Sequence, residues 1–555
     1  MKDAFDLPQP AALRAPSHVM RLAQMGQMFP TRLSFLRVLL RRLGSEGAKL
    51  TRPIWAIDAR GFGHAVYSID LGGFSYSLVA ISTDLPPEKR TDRVIAEAWD
   101  TAYVLYDGVP SSDEIARIVA TAPKQEAARF TERDLILSRA NKSVRLWARF
   151  VEGLRQGHMP SLAEVNAVGY LMRTTAVYGN GKFGIADRHL FADRPGATGS
   201  FSLEMLTVWM IRNFTHDLLE HEAGAPLPRE IKRHLGIGNA TGLGMAPFLV
   251  SHPVLLNNWM MARETALSRV RSGDGLPDSK RLHIERLTRR VERHLEHWST
   301  PDQVAQEEIE DLRGHWPTFV EQYLSQDALA KPHALNAALD AAKAKGAGLE
   351  ELVVALSLEV SGDEIDDLAD GMHDASAPLA VPFGDTADLA HAIPEHCSWA
   401  LGIDYAAKSN CAQFWYVSEE KLEPRLGQRF DEPRADLESP LDIARRISAL
   451  YADLPNQAEP LSEFLLSHPD HLLAVMAVNT AARYPYALIQ DNLIAATCRP
   501  VDLLRAKLAM FGAAKFDPKS NLWTRITLCQ GAPLPDELTP EACDDWWLAA
   551  PDTLQ

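Results

Sequence analysis

Between residues 52 and 83 the β-branched and aromatic side chains gather into three short runs, Ile54 to Ile57, His64 to Ile69 and Phe74 to Ile81. They are separated by Arg60-Gly61-Phe62-Gly63 and Leu71-Gly72-Gly73. Connections this short join only antiparallel neighbours, so the pattern predicts a β-meander. Polar and apolar positions do not alternate cleanly along the runs, as expected of a sheet covered on both faces. From Ser111 the spacing turns helical and predicts helices over 112–122, 130–156, 161–177, 201–222, 253–271, 278–298, 301–326 and 334–360. Ser161 and Glu164, just after Pro160, form an S-x-x-E capping box, in which each side chain satisfies an orphan amide of the first turn.

Residues 361–395 are acidic and rich in Ala, Pro and Gly, a composition that predicts a linker or surface excursion. Beyond it, Ser398 to Tyr405 and Cys411 to Val417 read as strands around the turn Ala407-Lys408-Ser409-Asn410. Helices resume near Pro440, and a last strand is expected from Trp523 to Cys529. The fold class that follows is α+β, a predominantly helical body with antiparallel β-meanders contributed by the N-terminal and C-terminal regions. The expected divisions are an N-terminal α+β region (1–125), a helical body (126–360), the acidic stretch (361–395) and a C-terminal α+β region (396–555).

The chain has 555 residues, enough for several cores, and 46% hydrophobic with 23% charged residues is ordinary globular composition. A net charge of −16 repels phosphate backbones and anionic headgroups, so no nucleic-acid or membrane partner is expected. The basic stretch Lys280 to Arg293 reads as a solvated helix face. The amphipathic stretch Val19 to Leu43 reads as a helix pair, split near Pro30, that docks on the core. Five cysteines without a CxxC pair suggest neither disulfides nor a zinc knuckle. A start without a secretory signal and the lack of a long apolar run place the expected location in the cytoplasm.

Two glycine loops carry the candidate chemistry. In Tyr178-Gly179-Asn180-Gly181-Lys182-Phe183-Gly184, followed by Asp187-Arg188-His189, the glycines expose backbone amides while Lys182 and Arg188 add positive charge. Phe183 stands where a Walker loop would hold its Mg-binding hydroxyl, so this is no P-loop. In the second loop, Gly236 to Met245, the spacing GxGxxxG departs from the dinucleotide fingerprint. Asn239 and Thr241 are its candidate donors to a carboxylate, phosphate or oxyanion. Asn257 and Asn258 sit in an apolar segment where burial demands a partner, from a ligand or from backbone. Lys408 lies in a turn from which it can reach a cleft.

His216 and Glu220 share a helix face at metal-ligand spacing, although a solvated last turn is the simpler expectation and no metal is assigned. Cys411, beside Lys408, reads as a structural thiol.

The expected function is a metabolic enzyme acting on a small anionic carboxylate or phosphate, of lyase or transferase type without a redox cofactor, with a homo-oligomer as one expected state. Asn180, Arg188, Asn239, Thr241, Asn257, Asn258 and Lys408 would bind the substrate. Lys182 or Tyr178 would move the proton, and Asp187 would tune the lysine. No cofactor is identified. A nucleotide-dependent transferase and a non-catalytic helical scaffold are the alternatives.

Overall fold

A computed structural model of the chain describes residues 12–25, 32–89, 98–123, 131–159, 201–239, 253–273, 275–297, 303–360, 362–370, 383–407, 443–490, 509–518 and 524–544, with shorter pieces at 161, 164–165, 168–174, 194, 199, 415–418, 425–426 and 438–440. The chain forms two compact units, each assembled from separate stretches. One comprises Met28–Gly242, Arg289–Pro301 and Lys507–Gln555; the other comprises Met1–Gln27, Leu243–Thr288 and Asp302–Ala506.

The first unit is built on a nine-stranded sheet of order β1-β2-β3-β4-β5-β6-β7-β12-β11. Its strands are β1 (Thr51–Ile57), β2 (Gly63–Leu71), β3 (Phe74–Ser82), β4 (Thr101–Asp107), β5 (Asp134–Lys142), β6 (Tyr170–Thr174), β7 (Gly236–Asn239), β11 (Ala513–Pro518) and β12 (Thr524–Leu528). Neighbours are antiparallel throughout except β6 and β7, which run parallel. A parallel pair needs a long crossover, and the helix Ser202–Ala223 lies within it. Pro53 is tolerated because β1 is an edge strand, irregular between Thr51 and Ile54.

Both faces of the sheet are covered. Val66, Val79, Ile81, Val104 and Tyr106 pack with Ile115 and Ile118 of the helix Ser112–Thr121, whose first turn is closed by a capping box of Ser111 and Glu114. On the other side the rings of Tyr67, Tyr103 and Trp55 meet Phe214. Phe214 belongs to a helix buried nearly all round, from Leu203 through Trp209 to Leu219, as a central helix must be. It ends where Gly224 takes a left-handed conformation and its amide returns to the Glu220 carbonyl. The helix Phe35–Ser45 buries Leu36, Leu39, Leu40 and Leu43, the face its spacing marks out.

Several expected helices give way to strands. Residues 130–156 hold β5 and then a helix at Trp147–Arg155, and 161–177 hold β6. A strand buried on both faces presents a continuous apolar run that a helical window accepts equally well. Ser161 and Glu164 do exchange the bonds of a capping box.

The second unit is helical, with Pro253–Ser272, Gln303–Phe319, Ala334–Lys345 and Ala347–Glu359 as its longest elements. The stretch expected as an acidic linker contains the helices Gly362–Asp370 and Thr386–His396. Ser398–Ala400, expected to begin a strand, is a 3-10 turn. Short strands β8 (Trp415–Ser418), β9 (Arg425–Leu426) and β10 (Glu438–Pro440) form a separate sheet of order β10-β8-β9. A second apolar core joins Leu389 and Ile393 to Ile447, Leu450, Phe464, Val475 and Val478.

An ion cluster ties residue 14 to the helices Pro253–Ser272 and Ala347–Glu359. Arg14 forks onto Glu264 at 2.8 and 2.7 Å and reaches Glu350 at 3.0 Å and Glu351 at 3.2 Å, while Arg263 contacts Glu351. Burial, with Arg14 beside it, pulls Arg263 down to about 9. Among the described residues no helix is long and apolar enough to cross a membrane.

Candidate functional site

The long helix of the sheet unit surfaces only in its last two turns. Along its last three turns Asn213, His216, Asp217 and Glu220, at three- and four-residue spacing, share one face. That face forms one wall of a cleft of about 590 Å³, within the range of small-molecule sites. The rest of the lining includes Arg52 and Tyr67 from β1 and β2, Arg229 and Lys232 from the short helix Arg229–His234, and Leu534 to Asp536. Leu50, Pro226, Leu227, Leu534 and Pro535 supply its apolar surface.

Arg212 holds these walls together. Fully buried, it donates to the carbonyls of Leu235 at 2.9 Å, Lys232 at 2.8 Å, Arg233 at 2.9 Å and Pro533 at 3.4 Å. Those carbonyls belong to the end of the short helix and to the segment that leads into Leu534. One guanidinium thus satisfies helix-terminal acceptors and fixes both pieces against the long helix. Burial pulls Arg212 down to about 10, so it stays charged at neutral pH.

The charged residues of the lining are paired with one another. Asp217 Oδ2 accepts from Arg52 at 2.7 Å and from the Tyr67 hydroxyl at 2.6 Å. Burial and then the Asp217 charge push the Tyr67 phenol upward, so it remains a donor. Lys232 meets Glu220 Oε1 at 2.8 Å, an oxygen that also accepts the Leu227 amide. Arg229 bridges Asp536 and Glu537 at the rim, and those hydrogen bonds raise its pKa. The lining therefore holds three cations, Arg52, Arg229 and Lys232, against three carboxylates, Asp217, Glu220 and Asp536.

His216 is 3% exposed and sits at the base of the cleft. Burial, then the charges of Arg212 and Lys232, hold its pKa well below the usual imidazole value. It is a neutral ring at physiological pH, able to donate from one nitrogen and accept at the other. The expectation of a solvated last turn is overturned for His216: the ring is buried, and it lies beside Arg212, Lys232 and the backbone of Leu235. Among the described residues no group of three or more His, Cys, Asp or Glu is placed to hold a metal ion.

The second glycine loop begins as a strand. Gly236 to Asn239 is β7, paired on one side with β6 and on the other with β12. A Cβ on Gly236 would stand 2.2 Å from the Leu528 carbonyl, and one on Gly238 would stand 2.7 Å from the Tyr170 ring. These two glycines permit close strand packing, not an open nest of amides. Asn239 closes that strand, and Thr241 lies outside the described residues. Tyr178, Asn180, Lys182, Asp187, Arg188 and Lys408 also lie outside them.

Asn257, in the helical unit, accepts the Tyr486 amide at 3.1 Å and donates to Asn258 at 3.3 Å, so backbone supplies the partner its burial demands. Sequence reasoning singled out His216 and Glu220 but missed Arg52, Tyr67, Asn213, Arg229, Lys232 and Asp536. The legible signal was a polar stripe ending an otherwise apolar helix.

Comparison with protein-family models, with curated proteins and with solved structures gives no match to this chain.

Proposed function

We propose that the chain is an enzyme acting on a small carboxylate- or phosphate-bearing molecule bound in the cleft at the end of the helix Ser202–Ala223. The observation that carries this reading is the convergence of Arg52, Arg229 and Lys232 with a buried, neutral His216 on one small-molecule-sized space. Arg52 and Lys232 are suited to hold the anionic group. His216, held neutral, is suited to polarise a carbonyl as an uncharged hydrogen-bond donor. The choice of lyase or transferase chemistry rests on the sequence alone.

The test is a thermal-shift screen with phosphates and carboxylic acids on the intact chain, repeated with Arg52→Gln and Lys232→Gln. A ligand that raises Tm of the parent protein and loses at least tenfold in affinity in both variants supports the reading. A hit whose affinity is indifferent to both substitutions places binding elsewhere and removes it.

A non-catalytic scaffold is the second reading, favoured by the apolar side chains that the helical unit exposes at Leu466, Leu472, Leu473 and Met476. It predicts a flat response to every small molecule in that screen.

A further inference from the structure

Within the cleft the long helix contributes acceptors, while Arg52, Arg229 and Lys232 come from other elements. On the long helix, Asn213 gives one amide N–H to the Trp209 carbonyl at 2.8 Å, and its carboxamide oxygen has no bond among the described residues. Both bonds to Asp217 fall on Oδ2, and both bonds to Glu220 fall on Oε1. Each carboxylate thus keeps a second oxygen without a bond among the described residues. This wall presents acceptors. Beside these acceptors the lining presents Arg52 and Lys232, and each is neutralised by a carboxylate of the helix.

That arrangement constrains the ligand. A simple anion drawn to Arg52 and Lys232 would compete with Asp217 and Glu220 and leave those carboxylates facing new negative charge. Stranding a half-buried charge offsets what the anion gains. A molecule with a cationic nitrogen as well as a carboxylate restores both partners at once, because its ammonium replaces the displaced cation. The apolar remainder of the lining, Leu50, Leu227 and Leu534, then faces whatever the charged end carries.

Resting on the cleft reading above, we propose that the ligand is a zwitterion, an α-amino acid with an apolar side chain. Its ammonium lies on the Asn213, Asp217 and Glu220 wall and its carboxylate lies toward Arg52 and Lys232. Three ammonium protons match three acceptors of that wall, and the guanidinium and amine face the carboxylate.

The experiment is calorimetric and thermal-shift titration of the full chain with L-leucine, L-methionine and L-phenylalanine. Each is paired with the acid that lacks its amino group and the amine that lacks its carboxylate. At least one amino acid is expected to raise Tm, with both of its truncated analogues binding at least tenfold more weakly. Asp217→Asn is expected to weaken the amino acid tenfold while leaving the matching acid no weaker than before. If the acid alone binds as tightly as the amino acid, the zwitterion falls and the anionic site survives. If neither amino acids nor acids bind, both fall. Equal losses for amino acid and acid in Asp217→Asn also overturn the proposal, because the carboxylate would then be supporting the cleft and not reading the ammonium.

Discussion

His216 carries a pH dependence opposite in origin to that of a paired surface histidine. The folded state holds its ring neutral well below 6.5, by burial first and by the charges of Arg212 and Lys232 next, whereas the unfolded chain protonates it near 6.5. Between those two values the unfolded state binds the additional proton. Stability is therefore complete above about 6.5 and is lost as pH falls, by at most about 1.4 kcal/mol per pH unit. Arg212, drawn down only to about 10, keeps its charge across that window. The carboxylate Glu350, whose pKa is lowered by its partners His18 and Arg14 against the opposing effect of burial, gives up its contribution only in more acid solution. Tm is thus expected to fall from pH 6.5 towards pH 5 in the parent protein and to stay flatter in His216→Gln. Superimposable profiles would show that the ring is solvated. The residue itself was legible as a candidate, from its spacing to Glu220, but its burial was not, because Lys232 and the backbone of Leu235, which lie beside it, come from beyond its own helix.

Among the elements, β7 departs furthest from its sequence signature. Glycine-rich and four residues long, it reads as a loop, yet it is a central strand with a partner on each side. What places it there is close approach: the Leu528 carbonyl and the Tyr170 ring occupy the space a side chain would need. Gly236→Ala is expected to destabilise the protein by roughly 1–3 kcal/mol through overpacking, seen as a lower denaturant midpoint. An unchanged midpoint would mean that the segment is not held in the sheet. The strands β5 and β6 were misread for a related reason. Leu135-Ile136-Leu137 and Tyr170-Leu171-Met172 show no alternation, since both of their faces are covered, and an unbroken apolar run carries no period from which to choose between helix and strand. By contrast β1 to β3 were readable from their glycine punctuation, and the helix Phe35–Ser45 from its four leucines.

For the molecule as a whole, the sheet joins residues 51 to 239 to residues 513 to 528, so the C-terminal region completes a structure begun near the N-terminus. A chain ended at residue 506 would lack β11 and β12, uncover the edge of β7 and remove Leu534 to Asp536 from the cleft. Such a chain is expected to lose the cooperative melting of the sheet unit and to aggregate through the bared edge. A soluble fragment with unchanged β-sheet circular dichroism per residue would contradict this. Local pattern determined the elements that bury one face or one stripe, because a half-covered strand or helix must repeat with its own period. It also determined the acidic balance and the absence of a Walker loop. Tertiary structure alone decided which buried runs became strands and where the cleft lies. Its lining comes from residues between 50 and 536, and no local rule brings Asp217, Arg52 and Lys232 together. Arg212 helps to do so, by capping carbonyls of residues about 20 and 320 positions ahead of it.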